Sequence, residues 1–126
     1  MNLIRNAIQT PDGTILVSRN RHDYQKHTDD NGKSYVVDGG LDYVRASVHD
    51  DQISLAVYDT DQFNVIRESL EWGTYGINGD QPLSWIKMCD MDTAHIEAVL
   101  ETQKSMRPVI RKQMELELEH RGLRDE

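Results

Sequence analysis

Turn-forming residues recur along the first half of this chain so closely that only short strands fit between them. Pro11-Asp12-Gly13, Asp29-Asp30-Asn31-Gly32 and Asp38-Gly39-Gly40 each combine residues that favour a bend with a glycine free to take positive φ. The segments between them suit extended backbone. Leu3 to Ile8 and Thr14 to Val17 flank the first turn and predict a hairpin. Asp23 to Thr28 and Lys33 to Val37 predict a second, across an Asn-Gly pair that readily supplies positive φ angles. After the third break Leu41 to Val48 reads as a strand, and Ile53, Leu55 and Val57 alternate with Ser54, Ala56 and Tyr58 as a one-sided strand should.

The second half changes period. Thr60 is placed to cap a short helix from Asp61 to Leu70, with Phe63, Ile66 and Leu70 along one side. Trp72 to Gly76 is extended or turning, Asn78-Gly79-Asp80-Gln81-Pro82 interrupts the chain, and Leu83 to Met88 predicts a last strand. Asp92 sits at the N-cap of a helix running to Gln103, with Ile96, Val99 and Leu100 as its buried stripe. Pro108 opens another, where its missing N–H costs nothing, Met106 and Ile110 clip its start, and Gly122 ends it. Glu115-Leu116-Glu117-Leu118-Glu119 reads as a solvated helix whose leucines pack. The class is α+β: an N-terminal antiparallel sheet of short strands and hairpins with a short helix, then two C-terminal helices. No linker, repeat or low-complexity block marks a boundary, so residues 1–126 read as a single domain.

Size and charge narrow the function. A chain of 126 residues holds one core but has little room for a deep private pocket, which favours a site shared between subunits. With 14 Lys and Arg against 22 acids, general attraction to nucleic acid polymers or anionic membranes is disfavoured. The imbalance is uneven: residues 1–49 carry six of each sign, residues 50–126 eight bases against sixteen acids. An anion is therefore better placed in the first part. Cys89 is the only cysteine, so neither an intrachain disulfide nor a cysteine-rich zinc site is expected. No apolar run approaches the roughly 18 residues of a membrane span, and the Met-Asn-Leu-Ile-Arg start lacks a secretory signal's plan, so the protein is expected to stay where it is made.

One stretch gathers chemistry. Arg21, His22, Asp23 and Tyr24 precede Asp38-Gly39-Gly40 and Arg45, a mixture suited to gripping an anionic, ring-bearing small molecule. His22-Asp23 also occurs in metal-dependent phosphohydrolases, but a strand sends neighbouring residues to opposite faces and no further ligands converge, so no metal is expected. Cys89 has no histidine nearby in sequence and no serine sits in a Gly-x-Ser-x-Gly elbow, so no catalytic residue and no cofactor is assigned. Gly39-Gly40 is a turn, or a place where bare backbone amides hold a phosphate. Trp72 and Tyr75 either pack or stack on a base, and Asn78 either turns the chain or reads a base edge. Arg107 and Arg111, four apart at the start of the last helix, form either a phosphate clamp or surface salt bridges with Glu101 or Glu115.

Taken together, Arg-His-Asp-Tyr, Val-Asp-Gly-Gly-Leu-Asp-Tyr-x-Arg, Trp-Gly-Thr-Tyr-Gly and Asp-Met-Asp-Thr-Ala-His-Ile-Glu-Ala-Val-Leu resemble the phage anti-Thoeris sponge family, from Ile4 to Arg121. Such proteins sequester cyclic ADP-ribose-type immune signals without cleaving them, and some also hold cyclic di- or trinucleotides. The resemblance implies a β-rich N-terminal part with C-terminal helices, dimers assembled into a hexamer, ligand sites at subunit contacts, and a place in the cytoplasm of an infected bacterial host. It puts the family's paired arginines at Arg107 and Arg111, a stacking aromatic at Trp72 or Tyr75 where the family has Phe, and an amide at Asn78. Arg21, His22, Asp23, Tyr24 and Arg45 then shape the site. The competing expectations are a small phosphodiesterase using His22 and Asp23, and a protein-binding role for the C-terminal helices.

Overall fold

The first two turns close in the same way. Thr10 N–H donates to the Thr14 carbonyl at 2.9 Å and Gly13 N–H to the Thr10 carbonyl, and Asp29, Lys33 and Gly32 repeat both bonds. Gly13 and Gly32 take φ of 90° and 78°. The Asn-Gly pair thus supplies one positive φ, not two: among the described residues no non-glycine adopts the left-handed region. Each turn is braced by an aspartate, Asp12 accepting from Thr10 and the Thr14 amide, Asp29 from the amides of Asn31 and Lys33.

The computed structural model describes residues 2–76 and 78–122. Backbone proximity divides the chain into two compact units, Leu3–Tyr58 and the part from Asp59 onward, which also takes in Asn2. The class is the expected α+β, with short antiparallel strands in the N-terminal part and, among the described residues, three α-helices, the last two C-terminal. No helix among the described residues is long and apolar enough to cross a membrane.

In the first unit β1 (Leu3–Gln9) pairs with β2 (Ile15–Ser18), and β3 (Gln25–Thr28) with β4 (Ser34–Asp38), giving both predicted hairpins. Ile8, Leu16, Tyr35 and Val37 form the core cluster. His27 Nε2 lies 2.7 Å from the Asp12 carboxylate and ties the first turn to β3. Hydrogen bonds from Thr10, His27 and Thr14 hold the Asp12 carboxyl far below the usual range. The predicted strand Leu41 to Val48 is corrected to a two-residue β5 (Arg45–Ala46) on β4. The Gly39 carbonyl accepts the amides of Asp42 and Tyr43, which curls residues 41–44 into a turn. The Ile53 to Tyr58 strand runs along β1 but is assigned as two short pieces, β6 (Ile53–Ser54) and β7 (Val57–Tyr58), and its register slips within β7, between Arg5↔Val57 and Leu3↔Tyr58. Its sidedness is partial, since Ile53 is exposed and Val57 buried.

The second unit opens with α1 (Phe63–Ser69); Gln62, not Thr60, is at its N-cap, and no side chain caps it. An antiparallel ribbon follows, β8 (Glu71–Thr74) and β9 (Ser84–Lys87), then a 3₁₀ turn at Met88–Asp90, α2 (Thr93–Thr102) and α3 (Pro108–His120). Ile96, Val99 and Leu100 of α2 are buried as expected, with Ile110, Met114 and Leu118 of α3. Gly122 leaves α3 at φ 74° while its amide donates to the Glu119 carbonyl, a glycine C-terminal stop.

The Glu115 to Glu119 run is not wholly solvated. Glu117 has no exposed surface, and its carboxylate accepts two bonds from the Arg67 guanidinium at 2.8 Å and one from Arg121 at 2.8 Å. Arg121 also donates to the Thr93 hydroxyl and the Met88 carbonyl. Burial raises the Glu117 pKa, but the hydrogen bonds from Arg67 and Arg121 outweigh it and leave the carboxyl below the usual glutamate range. Glu117→Ala is expected to cost about 3–5 kcal/mol in urea unfolding, because two arginines lose their buried partner. Glu119→Ala, on the exposed face, should stay within about 0.5 kcal/mol; equal losses would overturn the assignment. A folded-state pKa below the unfolded one stabilises at pH above the unfolded value and ceases to as pH falls through the folded value. The gap between wild type and Glu117→Ala should therefore narrow in acid.

Candidate functional site

Two loops of the first unit meet on a pair of buried polar side chains. Asn6 and Ser18 are register partners across β1 and β2, 5% and 1% exposed. Asn6 Nδ2 donates to the carbonyls of Asp38 and Gly40 at 3.0 and 2.9 Å. Ser18 Oγ donates to the Asp23 carbonyl at 2.6 Å and accepts the Gly40 amide at 2.8 Å. Buried polar atoms need partners, so the sheet fixes both loops.

Between these loops lies a recess of about 430 Å³ lined by Arg21, His22, Tyr24, Asp38, Gly39, Tyr43 and Arg45. Its walls are backbone-tight. A Cβ on Gly39 would stand 1.9 Å from the Tyr43 carbonyl oxygen, and one on Gly40 2.5 Å from the Asn20 carbonyl carbon. The glycine amides are not bare, since Gly39 N–H donates to the Asp38 carboxylate and Gly40 N–H to Ser18. Any anion here is held by side chains.

The charge centres on Tyr43. The Arg21 and Arg45 guanidinium carbons lie 5.4 and 4.9 Å from its ring centroid. Among the described residues neither arginine meets a carboxylate within ion-pair distance. A cation on an exposed ring gains about 0.5–1 kcal/mol, and two cations within about 10 Å repel by roughly 0.4–1.7 kcal/mol at surface dielectrics. An anion about 4 Å from both would gain roughly 1–4 kcal/mol from each. The pair is thus much better stabilised by a phosphate than by the ring alone. Tyr24 and Tyr43, both about half exposed, offer flat faces beside it.

The other expected residues fall elsewhere. The Asp23 carboxylate accepts the Arg19 amide at 2.8 Å and the Gln25 side-chain amide, holding its own loop, while His22 lines the recess. Trp72, Tyr75 and Asn78 belong to the second unit: Trp72 is half-buried on β8, Tyr75 is exposed just beyond it, and Asn78 is exposed in the following loop. Trp85 covers Gly73, whose Cβ would come within 3.3 Å of its ring, in keeping with a packing role. Arg107 is the N-cap residue of α3. Arg111 donates to the carbonyls of Leu100 and Gln103 at 3.0 and 2.9 Å, closing the end of α2 rather than pairing with Glu101 or Glu115. Asp38 and Gly39 belong to the Asp38-Gly39-Gly40 break noted in the sequence, where the glycines read as a turn or a backbone cradle for phosphate, but neither Asp38 nor Tyr43 receives a side-chain role there. The available signal was spacing: Tyr43 stands two before Arg45 and behind the Gly39-Gly40 break. No family model, curated protein or solved structure matches the chain.

Gly40→Ala combines positive φ with a collision against Asn20 backbone and is expected to lower the thermal midpoint sharply. Gly13→Ala shares the positive φ but has open space, and should cost only the left-handed penalty of about 1–2 kcal/mol. Similar melting curves for the two variants would refute the tight approach of the loops.

Proposed function

We propose that this protein captures a phosphorylated, base-bearing small molecule and holds it without turnover. The observation that carries the reading is the Arg21 and Arg45 pair on the Tyr43 ring, two cations with an aromatic face at a recess of ligand size. The resemblance supplies the identity: a cyclic ADP-ribose isomer or a cyclic oligonucleotide, sequestered by a homo-oligomeric phage anti-defence protein in the cytoplasm of the infected host. A sponge acts by mass action, so it must be abundant and bind more tightly than the receptor it starves. Hydrolysis by His22 and Asp23 is less well supported, because both Asp23 oxygens already serve Arg19 and Gln25.

The test is to incubate the purified protein with cyclic ADP-ribose isomers and cyclic dinucleotides, remove free ligand, heat, and analyse what is released. Intact ligand is the expected result, and a converted product would sink the reading. The double variant Arg21→Ala, Arg45→Ala should weaken capture on the order of a hundredfold or more, given about 1.5–3 kcal/mol for each charge-assisted bond. Arg107→Ala with Arg111→Ala measures the contribution of the α3 arginines that the resemblance implies. Undiminished capture by the first variant removes the recess from the proposal.

A further inference from the structure

The recess holds one charged side chain that a phosphate clamp alone leaves unexplained. Asp38 lines it together with Arg21 and Arg45, and Asp38 and Arg45 are register partners across β4 and β5. Residues directly opposite in an antiparallel pair share a face with Cβ atoms about 5 Å apart, which offers an aspartate and an arginine an ion pair. Among the described residues that pair is not made. Arg45 lies instead on the Tyr43 ring at 4.9 Å, while one Asp38 oxygen accepts the Gly39 amide at 2.8 Å. The second Asp38 oxygen has no hydrogen-bond partner among the described residues.

Two guanidiniums and one carboxylate therefore set the charge of the lining. Asp23 and Asp42, the other acids of these two loops, do not line it. At pH 8, where imidazole is uncharged, the recess carries a net formal charge of +1. A phosphate monoester brings close to two negative charges and a phosphodiester brings one. Attraction to the recess grows in proportion to the ligand's charge, whereas the cost of stripping its water grows with the square. A net charge of one is thus matched by a diester, and the second charge of a monoester is left facing the Asp38 carboxylate.

We infer that Asp38 is a specificity-determining residue, through which the recess takes the monoanionic phosphate of a diester in preference to the dianionic phosphate of a monoester. This selectivity rests on the reading of the recess as a phosphate site. A carboxylate that only fixed its own turn through Gly39 would have no effect on the choice between the two phosphates.

The probes are phenyl phosphate and its methyl ester, which differ by one charge and share a flat ring for Tyr24 and Tyr43. Isotope-labelled full-length protein is titrated with each at pH 8 and fixed ionic strength, to about 10 mM, enough to fill a site of millimolar Kd. The ring protons of His22 and Tyr43 are followed by NMR. The methyl ester is expected to bind at least about fivefold more tightly than the monoester. In Asp38→Asn, which keeps an oxygen for the Gly39 amide, the ratio should fall to within about twofold or reverse, because the monoester gains more than the ester. Asp38→Ser, which also presents an oxygen, serves the same purpose if that variant does not fold. Equal affinities in the wild type, or a ratio that the Asp38 variant leaves unchanged, would overturn the selectivity while the phosphate site stands. Signals that neither probe moves, or shifts that persist in the Arg21→Ala, Arg45→Ala double variant, would overturn the phosphate reading and the selectivity together.

Discussion

Asn6 and Ser18 face each other across β1 and β2, and through them the sheet determines where the Arg19–Tyr24 and Asp38–Tyr43 loops run. Between them they make two bonds to Gly40, one to the Asp38 carbonyl and one to the Asp23 carbonyl. Each is nearly sealed from water, so an unmade bond would cost about 1–3 kcal/mol. The geometry of the recess is thus set by two small side chains that do not line it. Gly40 completes the arrangement by allowing one loop to lie against the Asn20 backbone.

The two units solve opposite electrostatic problems. In the first, a near-neutral stretch of sequence concentrates two arginines on one tyrosine, neither in ion-pair contact with a carboxylate among the described residues, although Asp38 lines the same recess. In the second, an acidic stretch buries one glutamate and surrounds it with two arginines. The first arrangement can accept an outside anion, whereas the second is already neutralised. Arginine count alone would not separate them; burial and the nearest acceptor do.

What was legible from sequence was local. Pro11 to Gly13 and Asp29 to Gly32 specify their turns within a few residues, and Asp92, Pro108 and Gly122 mark helix ends by their own backbone chemistry. Leu41 to Val48 misled because Tyr43, Val44 and Val48 favour strands, while the turn that displaces them is held through Gly39, Gly40 and partners more than 20 residues away. Glu117 misled for the same reason: its neighbours suggest solvent, and Arg67 is 50 residues distant. Arg21 and Arg45 were visible as candidates, but their convergence on Tyr43 was not, since it depends on a turn that sequence rendered as a strand.

The Glu117 cluster has a consequence for how the second unit opens. Arg67 lies on α1, Glu117 on α3, Thr93 at the start of α2, and Met88 in the 3₁₀ turn, and one set of hydrogen bonds joins all four. None of these segments can detach without stranding a buried charge or donor. Amide protons on all four are therefore expected to share one exchange event rather than fray separately, so that the three helices and the 3₁₀ turn open as one cooperative unit.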